Sequence, residues 1–247
     1  MVLPVETTSR TELQRRAQAL SLRFEGADAS VVLKAALTEL FVGRIGLVSS
    51  FGTEAAILLH MVSRIDPYVP VVFLDTWKHF AETLAYRDQL IERLGLCNVQ
   101  IVTPRPAQLE ADDPDGDLHA RNADLCCHVR KTLPMLSALR PLDCWITGRK
   151  RHQARTRADM QLFEGEERRL KLNPLIDWSA GDIAAYFREN DLPEHPLKSA
   201  GYLSVGCLPC TRAVKPGEDA RAGRWAGTDK TECGIHIVDG KIARAVG

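Results

Sequence analysis

The chain has no net charge to speak of. Its 32 Lys and Arg are matched by 32 Asp and Glu, so no overall field draws it to nucleic acid or an anionic membrane, and any taste for anions must be built locally. Long apolar runs are missing too. Nothing approaches the ~20 residues that cross a bilayer, and Met1–Arg16 lacks the apolar centre of a signal peptide. A cytoplasmic location is therefore the default expectation. Internal repeats and low-complexity tracts are absent, which excludes solenoids. The cysteines do not come in an even number. There are seven, among them an adjacent pair and a C-x-x-C. That is a poor fit to a secreted disulfide framework, whereas in a reducing compartment such clusters bind metal or do thiol chemistry.

What is present is an ordinary globular composition, 45% hydrophobic and 26% charged, carrying strand and helix signals in alternation. Ser9–Phe24 and Ser30–Phe41 have the apolar spacing of helices, with Ser9 and Ser30 as candidate N-caps, and are expected against the sheet edge. Arg44–Ser49 reads as a buried strand. The small-residue turn Ser50-Phe51-Gly52-Thr53-Glu54 follows it, then an apolar helix from Ala55 to Val62. Strand, turn and helix in this order aim backbone N–H groups at an anion. One glycine is a weak signal, however, and a capped βα turn looks the same. Val69–Leu74, Asn98–Thr103 and Asp143–Thr147 are further strands, His79–Leu94 is a helix, and Pro104–Leu118 reads as a surface loop. Arg168–Leu172 is a candidate strand and Ser179–Glu189 a capped helix. The alternation predicts an α/β fold with a doubly wound, mainly parallel sheet. Ligands in that architecture sit beyond the carboxyl ends of the strands, so the loops at Ser50, Asp75 and Gly148 are expected to converge on one crevice.

After Gly148 stand Arg149, Lys150, Arg151, Arg155 and Arg157, with His152 and Gln153 among them. A solvated loop would look similar. This run follows directly on a buried strand, though, and guanidinium groups grip phosphate or sulfate bidentately, so it is read as an anion-recognition element. From Asp191 the chain turns irregular. The expected organisation is a nucleotide-binding domain with N-terminal helices over 1–200 and an irregular, cysteine-bearing segment, 201–247, folded back on it.

Five cysteines fall in three motifs: Cys126-Cys127, Cys207-Leu208-Pro209-Cys210, and Cys233 within Glu232-Cys233-Gly234-Ile235-His236. The first four supply thiolates suited to zinc or to an iron–sulfur cluster, and spacing alone does not choose. A C-x-x-C by itself is also compatible with a redox dithiol. Adjacent helical residues point about 100° apart, so Cys126 and Cys127 face one centre only at a helix end or kink. Cys97 and Cys144, in or beside apolar strands, are expected in the core. Cys233 stands outside the paired ligands, with Arg221, Arg224 and Lys230 nearby, and cations lower a thiol's pKa. It is the candidate nucleophile; a spare ligand is the bland alternative.

Taken together and in order, several motifs resemble the assimilatory sulfonucleotide reductases. They are the Ser49–Glu54 loop, Leu74-Asp75-Thr76, the 148–157 run, Gly206-Cys207-Leu208-Pro209-Cys210-Thr211 and Glu232-Cys233-Gly234-Ile235-His236. The resemblance covers roughly residues 40 to 240. The double cysteine plus C-x-x-C is similar to the branch that carries a [4Fe–4S] cluster and uses adenylylsulfate (APS) rather than phosphoadenylylsulfate (PAPS). The resemblance implies an adenine-nucleotide α-hydrolase-like (PP-loop) fold, with Cys126, Cys127, Cys207 and Cys210 on the cluster. Cys233 is then the residue that takes the sulfonyl group, forming S-sulfocysteine. Thioredoxin or glutaredoxin supplies electrons from outside the chain, since no thioredoxin-like domain is expected within it. Position by position, Ser50, Phe51, Gly52, Thr53 and Glu54 would wrap the adenosine side and Asp75 and Thr76 would line it. Arg149, Arg157, Arg221 and Arg224 would bind the phosphosulfate. Lys131 would stand between cluster and substrate, and His236 beside the thiol. Neither nucleic acid nor membrane is an expected partner; a homo-oligomer is. One departure stands out, because the family's Leu-Asp-Thr-Gly is here Leu74-Asp75-Thr76-Trp77. The competing enzyme reading, a tRNA-thiolating ATP pyrophosphatase, calls for Ser-Gly-Gly-x-Asp-Ser in the first loop, which is absent. A non-catalytic metal module leaves Cys233 and the basic run unexplained.

Overall fold

Val71–Leu74 shows how the sheet is made. All four residues are buried. Val71 and Phe73 enter one apolar cluster while Val72 and Leu74 enter another, as the two-residue period of a strand requires. A strand buried on both faces belongs inside a parallel sheet with helices on each side. That is the architecture of the computed structural model, which describes residues 10–166, 168–227, 230, 232, 233, 235, 237, 238, 241 and 242.

In chain order, α1 (Arg10–Arg23) and α2 (Ala29–Ala35) lead to β1 (Ile45–Ser49), α3 (Ala55–Ile65), β2 (Val71–Leu74), α4 (Ala81–Leu94) and β3 (Val99–Val102). Then come α5 (Pro106–Asp112), α6 (Leu118–Arg121), α7 (Ala123–Cys127) and α8 (Leu133–Ala138). Next are β4 (Cys144–Ile146), β5 (Phe163–Gly165), β6 (Leu170–Leu172) and α9 (Ala180–Glu189), and a small pair, β7 (Ile237–Val238) and β8 (Lys241–Ile242). The main sheet runs β3-β2-β1-β4-β6-β5, parallel except for β5 at its edge. The larger apolar cluster lies under α1–α4 and α9; the smaller, with Met135, Leu139 and Trp145, lies under α8. Order reverses between β1 and β4, and a crevice opens at that switch point.

The N-terminal helices do lean on the sheet edge. The Phe163 N–H donates to Ser21 Oγ at 3.0 Å, and Phe24 packs 6.2 Å from the Phe163 ring. A Cβ on Gly165 would come within 2.9 Å of the α1 backbone. That close approach covers an edge strand that would otherwise invite pairing.

Three expectations are corrected. The 104–118 loop contains α5, because Pro106 sits in the first turn, where a missing N–H breaks no bond, and Leu109 is buried. Asp28, not Ser30, precedes α2, and its side chain makes no capping bond; Ser9 lies outside the described residues. No expectation covered β5, since three residues are too few to show a period. Cys97 is exposed, because Leu96 takes the buried place beside it; Cys144 is buried. By contrast, Ser179 caps α9 as expected, in a reciprocal box with Asp182. Among the described residues no helix is long and apolar enough to cross a membrane.

Candidate active site: a cationic crevice beside a cysteine pocket

The crevice, of about 420 Å³, begins at the carboxyl end of β1. Ser50, Gly52, Thr53 and Glu54 line it and lead into the α3 N-terminus. Phe51 does not. It takes a left-handed φ of 48°, and its ring is fully buried against Phe73, edge-on at 5.5 Å. Burying that ring anchors the turn by about 2–3 kcal/mol, so Phe51 shapes the loop from beneath. Thr53 Oγ1 donates to the Leu203 carbonyl at 2.9 Å, tying the loop to the C-terminal segment. Glu54 accepts from Lys150 Nζ at 2.7 Å and from Gln153 Nε2 at 2.9 Å.

Among the described residues six cations line this space: Lys131, Arg149, Lys150, Arg157, Arg221 and Arg224. Three acids, Glu54, Asp219 and Glu232, face them. Burial lowers Arg221 to about 10, and neighbouring Arg157 pushes the same way. Arg149 pairs with Glu164. Arg224 lies 4.4 Å over the Trp225 ring, and a Cβ on Gly206 would fall 2.2 Å from its Nη2, so any larger residue there would displace the guanidinium. The Nε groups of Arg149 and Arg224 are buried with no hydrogen-bond partner among the described residues. Buried orphan donors of this kind await an acceptor.

Cys126 and Cys127 end α7 and run into a π-helical turn, His128–Thr132. The helix end that two adjacent cysteines demanded is therefore present. Cys126, Cys127, Cys207 and Cys210 all line one small pocket with Thr76, Arg130, Lys131 and Trp225. The C-x-x-C is strapped to the end of β2. His79 and Cys207 form an antiparallel bridge, the Leu208 N–H donates to the Lys78 carbonyl at 2.7 Å, and Thr76 Oγ1 is 3.3 Å from Cys207 Sγ. Beneath lies a buried ion pair, Arg130 with Asp113 at 2.5 Å, and Arg130 Nη1 also donates to the Thr76 carbonyl at 3.0 Å. Burial, with the charges of Cys207 and Cys210, raises Cys126 to about 11.

Cys233 lies where crevice and pocket meet. It lines the crevice half-buried and accepts a hydrogen bond from the Cys127 thiol. That bond lowers its pKa well below the usual thiol value. Burial opposes the shift; Lys131, Arg224 and the Ile235 N–H reinforce it. Burial also opposes the charge of Lys131, but Cys207 and Cys233 outweigh it and hold the ammonium protonated.

The structure thus brings together Ser50, Gly52, Thr53, Glu54, Lys131, Arg149, Arg157, Arg221, Arg224 and Cys233. Asp75 and Thr76 do not line the crevice. Asp75 caps its own turn by accepting from the Trp77 N–H, and Thr76 belongs to the cysteine pocket. His236 lies outside the described residues. Trp77 holds a left-handed φ of 58° with its ring 54% exposed. It therefore takes the backbone shape a glycine would and points outward. Sequence reasoning missed Trp225, shared by both cavities, and the Asp113–Arg130 pair. No local pattern announces either.

The family model described as "Phosphoadenosine phosphosulfate reductase domain" matches residues 44–213. The adenosine 5'-phosphosulfate reductase of Chelativorans sp. (strain BNC1) is 56% identical over 79% of this chain and 80% of its own length. That of Mesorhizobium japonicum is 52% identical over 83% of this chain and 81% of its own. Among solved structures, a Candida auris phosphoadenylyl-sulfate reductase in a phosphate complex superposes with TM-score 0.68. At 24% identity it covers 81% of this chain and 97% of its own. Its likeness bears on the fold, which is of the adenine-nucleotide α-hydrolase-like type. The matched span and the identity to these bacterial relatives together establish that the chain belongs to the phosphoadenosine phosphosulfate reductase domain family.

Proposed function

We propose that this chain reduces adenylylsulfate to sulfite and AMP through thiol chemistry at Cys233, serving sulfate assimilation and cysteine biosynthesis in the cytoplasm. The observation that carries this is the place of that sulfur, beside Lys131 and Arg224 at the mouth shared by a cationic crevice and a cysteine pocket. The 50–54 loop takes the nucleoside. Arg157, Arg221 and the orphan Nε groups of Arg149 and Arg224 take the phosphosulfate.

The Cys233 thiolate attacks the sulfate sulfur. An S–S bond forms, the bond from that sulfur to the bridging oxygen breaks, and the electron pair leaves on AMP. Fixed cations around both anionic groups stabilise the charge that moves. A thiolate of an external dithiol, thioredoxin or glutaredoxin, then attacks Cys233 Sγ, and sulfite departs with the S–S pair. The second thiol resolves the mixed disulfide, so two electrons come from the dithiol and Cys233 is restored.

The four pocket cysteines would hold a [4Fe–4S] cluster. Among the described residues no group of three or more His, Cys, Asp or Glu closes on a single metal ion. Four soft donors instead ring one pocket with Arg130 and Lys131, a setting that suits an anionic thiolate-bound cluster. Bound there, it would supply a fixed negative centre that organises the neighbouring cations. Anaerobic protein should then carry about four irons per chain.

APS is favoured over PAPS because the relatives at 56% and 52% identity are named adenosine 5'-phosphosulfate reductases. Much higher kcat/KM on PAPS would reverse this. The test of the mechanism is mass spectrometry after mixing with APS and no reductant. A gain of one SO₃ on Cys233 is expected, with Cys233→Ser lowering sulfite release at least about 10³-fold. Turnover of Cys233→Ser at the native rate would end the proposal.

A further inference from the structure

The residue just before the reactive sulfur sits in the anion seat itself. Glu232 takes Arg157 Nε on one oxygen at 2.6 Å and Arg157 Nη2 on the other at 2.8 Å, the fork a phosphate or sulfate would receive. Arg221 Nη2 stands 3.5 Å from the second oxygen, and Thr156 Oγ1 stands 3.5 Å from the first. The side chains of Arg157 and Glu232 are 7% and 10% exposed. The pair is continuous with the nucleoside loop, because Arg157 Nη1 donates to Gln153 Oε1 at 2.7 Å while Gln153 Nε2 holds Glu54. A second anion cannot join a carboxylate on one guanidinium in so poorly screened a place without strong repulsion.

We propose that Glu232 is a positioning residue that works by exchange. In the ligand-free chain its carboxylate holds the 232–233 segment on Arg157 and Arg221, and an anionic ester entering the crevice displaces it, freeing Cys233 to approach the ester's sulfur. The identity of that ester rests on the adenylylsulfate reading, but the exchange does not, since any anion that fits the two arginines drives it. The nucleophile is thereby kept parked until its electrophile arrives.

AMP affinity, measured by calorimetry on the full chain, tests this. Removing the competing charge in Glu232→Gln should tighten AMP binding about tenfold, the scale of one lost charge-assisted contact. Glu232→Asp should keep the wild-type affinity. In turnover, Glu232→Gln should lower KM and kcat together, a split that general loosening would not produce. Equal or weaker AMP binding by Glu232→Gln overturns the proposal. The wild-type chain gives an independent reading should that variant fail to fold. Trypsin cleavage after Lys230, located by mass spectrometry, should speed up when AMP or inorganic sulfate fills the seat. Cleavage that is slowed or unchanged also overturns it. Failure of AMP to bind the wild type at all would instead sink the nucleotide reading, and the sulfate arm would still decide the exchange.

Discussion

The crevice and the cysteine pocket share two walls, Lys131 and Trp225, yet they are held open in different ways. Strand ends and one helix N-terminus form the crevice, and two of its guanidinium groups keep Nε donors with no partner among the described residues. Stretches far apart in the chain form the pocket: 76–79, 126–131, 207–210 and 225. They are pinned by backbone bridges and by an ion pair with almost no exposure, Arg130 with Asp113. Unsatisfied donors suit a ligand that comes and goes. A pinned ring of thiols suits one that stays.

The sharpest way to break this contrast is Arg130→Met. It leaves the Asp113 carboxylate buried and uncompensated, so urea unfolding should show a loss of about 3–5 kcal/mol. AMP affinity of the folded fraction should hold. A fall in AMP binding parallel to the loss of stability would show that the two regions are one unit. Next in size is Lys131→Met at the shared wall. Removing a preorganised cation from the reacting centre should cut the kcat for sulfite release about 10²–10³-fold. An effect under threefold would mean that Lys131 serves the pocket alone. The smallest is Trp77→Gly, which relieves a left-handed tryptophan and should stabilise the chain by about 1 kcal/mol, read as a rise in Tm with activity intact. A loss of activity would mean that the outward ring does more than fill a turn.

The crevice was largely legible in the sequence because its signals are local. A β1 strand, a small-residue turn and an apolar helix lie within some twenty residues, and the 148–157 run follows β4 directly. The cysteine ligand set was legible as chemistry but not as placement. Nothing near Asp113 says that it lies beneath Cys207, and a tryptophan at 225 carries no mark of standing between two cavities. Phe51 and Thr76 show the limit from the other side. A motif groups them with pocket-lining neighbours, while burial sends one ring into the core and one hydroxyl to a sulfur. Even Glu232, read as the cysteine's neighbour, gained meaning only when Arg157 appeared across 75 residues of chain.

The π-helical turn at His128–Thr132 carries one residue more per turn than the helices on either side of it. Tighten those same five residues into ordinary α geometry and everything before them would swing by one residue's rotation, about 100°, relative to α8. Cys126 and Cys127 would then turn their backs on Cys207 and Cys210 with every thiol still present. The width of the turn between Cys127 and Leu133 thus constrains the molecule as strictly as the residues in it do.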